Sequence, residues 1–436
     1  SMFKAFGWMT DNGLSWVEYL ERCKNYRHAL YISGVNQTEP QQFTELNYQF
    51  LNTVSMTAEE FRPLDLPLGW KHSPEEDNRN WITKETEIAY YRLAANPTSR
   101  KEYFTKALNR SDADKRSILL AKILKKNSLF INEPIYAKEL ENKAHSLLKQ
   151  YAIGKLIVSG DNRYLSGDLM WFLQMLVKSV ADVDGEYSGV SMRLYIECYP
   201  DTVAYAPGAA YPARDKYTLL RNPHIARNEE AVVLPPEYIG PLRKKYLSHL
   251  SYVIMVDSRT LIPERLGGAD FDGDMIKTIA DPLLNACVSR NYKANDYDAY
   301  SHQSSIPLLK IPSATSLVLN ASDWKDRFEV IKSTFSTRIG QICNAAFGRS
   351  IIAYDENSDT AERERLQRET EMLEILTGLE IDSVKSGIKP DLTEFLSQKT
   401  VSRSSFLKYK SLVGEDNNHE WYEPTKNEKL KRFFDS

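Results

Sequence analysis

Carboxylates recur at alternate positions around one glycine in Gly267-Gly268-Ala269-Asp270-Phe271-Asp272-Gly273-Asp274. Like charges this close resist ionising together unless a cation sits among them. A glycine after the second aspartate lets the backbone pinch, so that side chains two residues apart converge on one point. An all-oxygen donor set suits a hard ion, Mg²⁺ or Mn²⁺, with positions left for water and substrate phosphate. Asp270, Asp272 and Asp274 are therefore the expected metal ligands and catalytic residues.

Three chemistries use such a loop. A calcium-binding EF-hand needs glycine at its sixth position and a bidentate glutamate at its twelfth, where this chain has Met275 and Asp281. A dehalogenase-type phosphatase needs its nucleophilic aspartate directly after a buried strand. Here Glu264-Arg265-Leu266-Gly267-Gly268-Ala269 reads as a loop. In nucleotidyl transfer, the third chemistry, the carboxylates hold a catalytic ion and a second ion arrives with the nucleotide, and a plain acidic turn is the alternative to all three.

The elements that must position the triad change texture along the chain. Residues 1–150 read as mainly helical, with Lys101–Leu108, Asp112–Leu124 and Ala137–Tyr151 carrying apolar side chains at helical spacing and Asp112 a candidate cap. Residues 151–285 hold short β-branched and aromatic runs separated by turn residues: Lys155–Val158, Met192–Cys198, Tyr217–Leu220, Ala231–Leu234, Tyr252–Val256 and Met275–Ile279. These predict a small β-barrel with the triad on a loop feeding its last strand. Leu169–Val180 fits a buried strand or a buried helix. Residues 286–436 return to helix, with Asp323–Ala346 and Thr360–Leu379 amphipathic. The predicted class is α+β.

With 436 residues and a net charge of −3, the chain has room for several cores, and its overall field does not attract polyanions. Phosphate binding then needs local basic groups, and Arg214, Lys216, Arg221, Arg227 and Arg243-Lys244-Lys245 are the candidates, a solvated face being the alternative. Four dispersed cysteines argue for a reducing compartment rather than a zinc site or disulfides. Neither a membrane span nor a leader peptide is evident, and Ser1 ahead of Met2 reads as a tag remnant.

Asp270-Phe271-Asp272-Gly273-Asp274 resembles the metal-binding signature of the two-barrel RNA polymerases. That superfamily includes the largest subunit of cellular RNA polymerases, the silencing-type RNA-dependent RNA polymerases and single-chain phage- or prophage-type enzymes. Leu219–Arg227 is similar to their upstream Arg-x-Pro segment, and Thr44–Thr53 to the helical segment between the barrels of the silencing type. Thr337–Ala345 resembles their Gly-x-Ile-x-Asn-Ala helix, and Asp382–Gly387 their Asp-x-x-Lys-x-Gly segment.

The resemblance implies a double-psi β-barrel catalytic domain flanked by mainly helical N- and C-terminal regions. It also implies Mg²⁺-dependent RNA synthesis from nucleoside triphosphates on a nucleic-acid template, in the cytoplasm of a bacterial or phage-infected cell. Arg221, Asn222, Arg227 and Lys277 become the expected substrate-binding residues. Arg243, Lys244, Lys245, Arg338 and Lys385 become candidates for template or product phosphates. The family's first barrel, which supplies lysines to the reaction centre, is not legible in this chain. It is expected from an upstream segment or a separate partner, and a non-catalytic nucleic-acid-binding relic or a dehalogenase-type phosphatase stand as alternatives. The asparagine that opens the cellular signature is replaced by Gly268.

Overall fold

The computed structural model describes residues 13, 15–25, 43–56, 60, 92–108, 115–152, 154–184, 203–209, 216–257, 260–291, 308–309, 311–312, 322–334, 337–386 and 388–397. Seven strands form one sheet: β1 (Phe43–Glu45), β2 (Ile157–Gly167), β3 (Ala204–Tyr205), β4 (Tyr217–Arg221), β5 (Ala231–Val233), β6 (Val253–Val256) and β7 (Met275–Ile279). Their order is β3-β6-β2-β7-β4-β5, with β1 also paired to β2. Only β2 and β6 run parallel among these pairs. A parallel bridge between Val203 and Leu234 links the two ends of this order, so the sheet is nearly closed within an α+β fold.

The eleven-residue β2 organises the sheet by meeting three partners along its length. Ile157–Ser159 pair with β1, Gly160–Tyr164 with β7 and Tyr164–Gly167 with β6.

Strand alternation separates two apolar layers. Leu219, Ala231, Val233, Ile254, Val256 and Ile276 fill the barrel interior together with Leu266 and Ala269. Leu220, Val232 and Ile279 face outward onto Phe50, Leu51 and Val54 and onto Leu284 and Val288. The helices that cover this outer layer are α2 (Tyr48–Thr53), which follows β1, and α9 (Pro282–Asn291), which follows β7.

Ahead of the barrel lie α1 (Trp16–Asn25), α3 (Pro97–Ala107), α4 (Lys115–Lys126) and α5 (Pro134–Ala152). Phe104, Leu120, Leu124, Tyr136 and Leu140 give the last three a core of their own. Helix α3 begins earlier than its apolar spacing predicts, because the Asn96 side chain accepts from the Thr98 and Ser99 amides and Pro97 opens the first turn. Leu169–Val180 is resolved as helix, within α6 (Leu169–Asp184). The predicted strand Met192–Cys198 and the predicted cap Asp112 lie outside the described residues.

Short helices α7 (Pro241–Leu247) and α8 (Ile262–Arg265) bracket β6. The predicted helix Asp323–Ala346 divides into α10 (Trp324–Thr334) and α11 (Ile339–Ala353). At the break the Arg338 amide is turned to the Glu380 carboxylate, which a continuous helix would not allow. Helix α11 packs along α12 (Thr360–Ser386) and α13 (Thr393–Ser397) through Ile342, Ala346, Leu373 and Leu392. Among the described residues, no helix is long and apolar enough to cross a membrane.

One buried ion pair joins the first turn of α6 to α7. The Asp168 carboxylate accepts from the Met170 and Trp171 amides as the cap of α6, and it meets the Arg243 guanidinium through both Nε and Nη2. Asp168 is 4% exposed and Arg243 7%. Removing one partner strands a buried charge, so Arg243→Ala is expected to cost about 3–5 kcal/mol in urea unfolding.

Candidate active site

The loop between α8 and β7 is pinned at both ends before it carries any charge. At its front the Gly268 amide donates to Glu264 O at 3.3 Å, and the Ala269 amide to Pro263 O at 2.9 Å. The Ala269 methyl is buried in the barrel interior. At its rear the Leu165 amide of β2 donates to Asp274 O at 2.9 Å. Between these anchors Gly273 takes φ +123°, a conformation that side-chain-bearing residues rarely adopt, and so reverses the chain between Asp272 and Asp274.

Asp270, Asp272 and Asp274 are thereby brought together, with one carboxylate oxygen from each lying within 4.8 Å of the others. Two bonds stay within the loop: the Asp270 amide donates to Asp274 Oδ2 at 3.0 Å and the Asp272 amide to Asp270 Oδ1 at 3.2 Å. Burial raises the Asp270 carboxyl above its ordinary range, and the hydrogen bond with the Asp272 side chain and the charge of Asp274 add to the rise. A divalent cation would relieve that cost by replacing mutual repulsion with shared attraction. Three converging carboxylate oxygens open to solvent fit Mg²⁺ or Mn²⁺.

Arg221, the last residue of β4, supplies positive charge to this group. Its Nη2 lies 3.1 Å from Asp274 Oδ2, and its Nη1 donates to Gly267 O at 3.1 Å. Register explains the meeting. Arg221 is paired with Ile276, and alternation along β7 puts residues 274 and 276 on the same side. Asn222 follows at the surface, where its Oδ1 accepts from Asn47 Nδ2 at 2.8 Å. The Asn47 Oδ1 caps α2 through the Phe50 amide, so one side chain fixes both the helix start and the Asn222 amide.

The other expected binding residues are placed elsewhere. Lys277 is paired with Leu220, on the face opposite Arg221, and its ammonium donates to Glu45 O of β1. Arg227 lies 4.3 Å over the Tyr354 ring and its Nε donates to Thr53 O at 2.5 Å. Arg243 is held by Asp168. Lys244 and Lys245 are exposed on α7. Arg338 is engaged by Glu380 at 2.6 Å and by Pro390 O at 2.8 Å. Lys385 falls in the backbone of α12, and its side chain lies outside the described residues.

Residue reading missed Glu229. It is 5% exposed, and its Oε2 accepts from the amides of Ile225 at 2.5 Å and Ala226 at 3.1 Å. The available signal was an acidic pair, Glu229-Glu230, directly before the apolar run Ala231-Val232-Val233.

Residues 227–432 match the family model described as RNA dependent RNA polymerase. Over 285 residues the chain is 25% identical to the DNA-directed RNA polymerase YonO of Bacillus phage SPbeta, covering 64% of this chain and 28% of that protein. The family model and the phage relative are both RNA polymerases. A solved structure, the RNA dependent RNA polymerase QDE-1 from Thielavia terrestris, aligns with 91% of this chain and 42% of its own at 13% identity and a TM-score of 0.49. The chain thus spans less than a third of the phage polymerase and less than half of QDE-1. The family match supports a polymerase catalytic domain, and the triad lies within the matched residues.

Burial, opposed by the attraction of Glu45 and helped by the neighbouring Lys155, lowers the Lys277 ammonium to about 8. An unfolded lysine keeps its proton to higher pH, so between about pH 8 and pH 10 the unfolded chain binds more protons and folding stability rises with pH. Lys277→Met is expected to remove that rise, read as the difference between the two proteins' urea midpoints across the window.

Proposed function

We propose that this chain is the catalytic portion of a nucleic-acid-templated RNA polymerase, with Asp270, Asp272 and Asp274 as its metal ligands. The observation that carries this reading is the convergence of three carboxylates within 4.8 Å beside an arginine that reaches Asp274. When bound there, Mg²⁺ or Mn²⁺ supplies Lewis-acid stabilisation of the attacking 3′-hydroxyl and of the phosphate oxygens.

The chain's own residues supply position and charge. The triad loop, anchored by Ala269 and Leu165, holds its carboxylates in place without rearrangement during the reaction. Arg221 orients Asp274 and presents the rest of its guanidinium to the incoming nucleotide, whose ribose it faces. Asn222, with its oxygen engaged by Asn47, offers its amide N–H groups to the same substrate. The exposed Lys244 and Lys245 contact template or product phosphates. Arg227, Arg243, Arg338 and Lys277 support the scaffold around these contacts. Lysines of the first barrel come from an upstream segment or a separate chain.

Asp272→Asn is expected to reduce labelled-nucleotide incorporation at least about 1,000-fold, the scale of losing a metal's transition-state stabilisation, while leaving the melting transition in place. Single-stranded DNA and RNA templates, each with Mg²⁺ or Mn²⁺, read out the template class in the same assay. Full activity in the variant would remove the triad from the reaction.

A further inference from the structure

Glu229 ends a short turn of 3₁₀ helix, Arg227–Glu229, four residues beyond the proline of Arg221-Asn222-Pro223. Its two carboxylate oxygens have separate surroundings. Oε2 accepts from the Ile225 and Ala226 amides and so closes the turn that leaves β4. Oε1 faces the triad loop, where a Cβ built on Gly267 would stand 2.9 Å from it.

The same point at Gly267 lies 3.8 Å from Arg221 Nη1, the atom that donates to Gly267 O. Gly267 has φ +67° and no side chain, so Glu229 and Arg221 can both occupy the space beside its backbone that a side chain would fill. Two loops distant in sequence therefore meet at one glycine, and a buried carboxylate holds one of them. Burial raises the Glu229 carboxyl above its ordinary range, and the charges of His224 and Arg221 oppose that rise. By reciprocity, a negative Glu229 favours the guanidinium where it stands.

We propose that Glu229 is a positioning residue for nucleotide binding: it clamps the turn after β4 onto Gly267 and so keeps Arg221 aligned with Asp274. This assignment rests on the polymerase reading above and names how its arginine is held. Glu229 touches neither metal nor substrate. Its effect reaches the triphosphate-bearing ligand only through Arg221.

The test uses the full chain, Mn²⁺ and a fluorescent analogue of guanosine triphosphate. Mn²⁺ binding is read by electron paramagnetic resonance and nucleotide binding by fluorescence. Glu229→Gln keeps the volume and an oxygen for the two amides but removes the charge. Arg221→Ala is expected to weaken nucleotide binding about tenfold, as for loss of one charge-assisted hydrogen bond, and Glu229→Gln by a similar factor. The double variant is expected to bind no more weakly than Arg221→Ala alone, because both changes remove one effect. Mn²⁺ binding without nucleotide is expected to stay within about twofold of the parent in Glu229→Gln.

Wild-type affinity in Glu229→Gln, unaltered binding in Arg221→Ala, or losses that multiply in the double variant would each overturn the assignment. Loss of Mn²⁺ binding in Glu229→Gln would do the same, since it reports collapse of the loop. A parent chain that binds no triphosphate defeats the polymerase reading and the assignment together. Tight parent binding with an indifferent Glu229→Gln defeats the assignment alone.

Discussion

Three carboxylates with oxygens inside 4.8 Å repel one another, and a free loop would relax by spreading them. The surrounding structure prevents this by fixing the loop's backbone rather than its side chains. Ala269 is buried in the barrel interior, its amide is bound to Pro263 O, and Asp274 O is bound to the Leu165 amide of β2. Those anchors come from α8, from β2 and from the barrel interior, so the triad's geometry depends on the assembled barrel. Arg221 then neutralises part of the charge at Asp274.

Strand register divides the labour around this site. On β4, Leu219 and Arg221 face the interior and the triad, whereas Leu220 faces α2 and α9. On β7, Ile276 faces inward and Lys277 outward. A one-residue slip of β4 against β7 would place Leu220 against Asp274 and carry Arg221 to the wrong face. The outer layer contributed by Phe50, Leu51 and Val54 therefore helps to lock register, and register decides which charged side chain meets the triad. Asn47 couples the same α2 to Asn222, so the helix that seals the outer layer also trims the substrate side.

The triad loop, the strands Tyr217–Leu220 and Met275–Ile279, and the helical character of both flanks were legible because their signals are local: alternation, turn residues and helical spacing. Arg221 was legible through the resemblance of Leu219–Arg227 to a known segment. Lys277 lies on the face of β7 opposite Ile276, a placement that only strand register reveals. The partners of Arg227, Arg243 and Arg338, namely Tyr354, Asp168 and Glu380, are between 42 and 127 residues away and are not legible from local sequence. A composition-based reading counts such arginines as free charge, whereas burial obliges them to find counter-groups. Glu229 was not legible for the same reason, since only the folded chain brings it near Gly267.

The C-terminal helices belong to the site as much as the barrel does. Ile225, in the turn that Glu229 closes, packs with Ile342 and Ala346 of α11 and Leu373 of α12. On α12, burial holds the Glu374 carboxyl well above its usual range, the charges of Glu229 and Glu371 add to the rise, and Arg265 of α8 opposes it. Ile311 lies against α12 at Gly378, where an added Cβ would meet its Cδ1 at 2.2 Å, and against the triad loop at Gly268, where the same atom would be 3.4 Å away. Any side chain at 268, including the asparagine of the cellular signature, must share that space with Ile311. Gly268 also takes φ +70°, a conformation that side-chain-bearing residues rarely adopt. A barrel cut away from α11 and α12 would keep its aspartates but lose the apolar cover of the turn that follows Arg221.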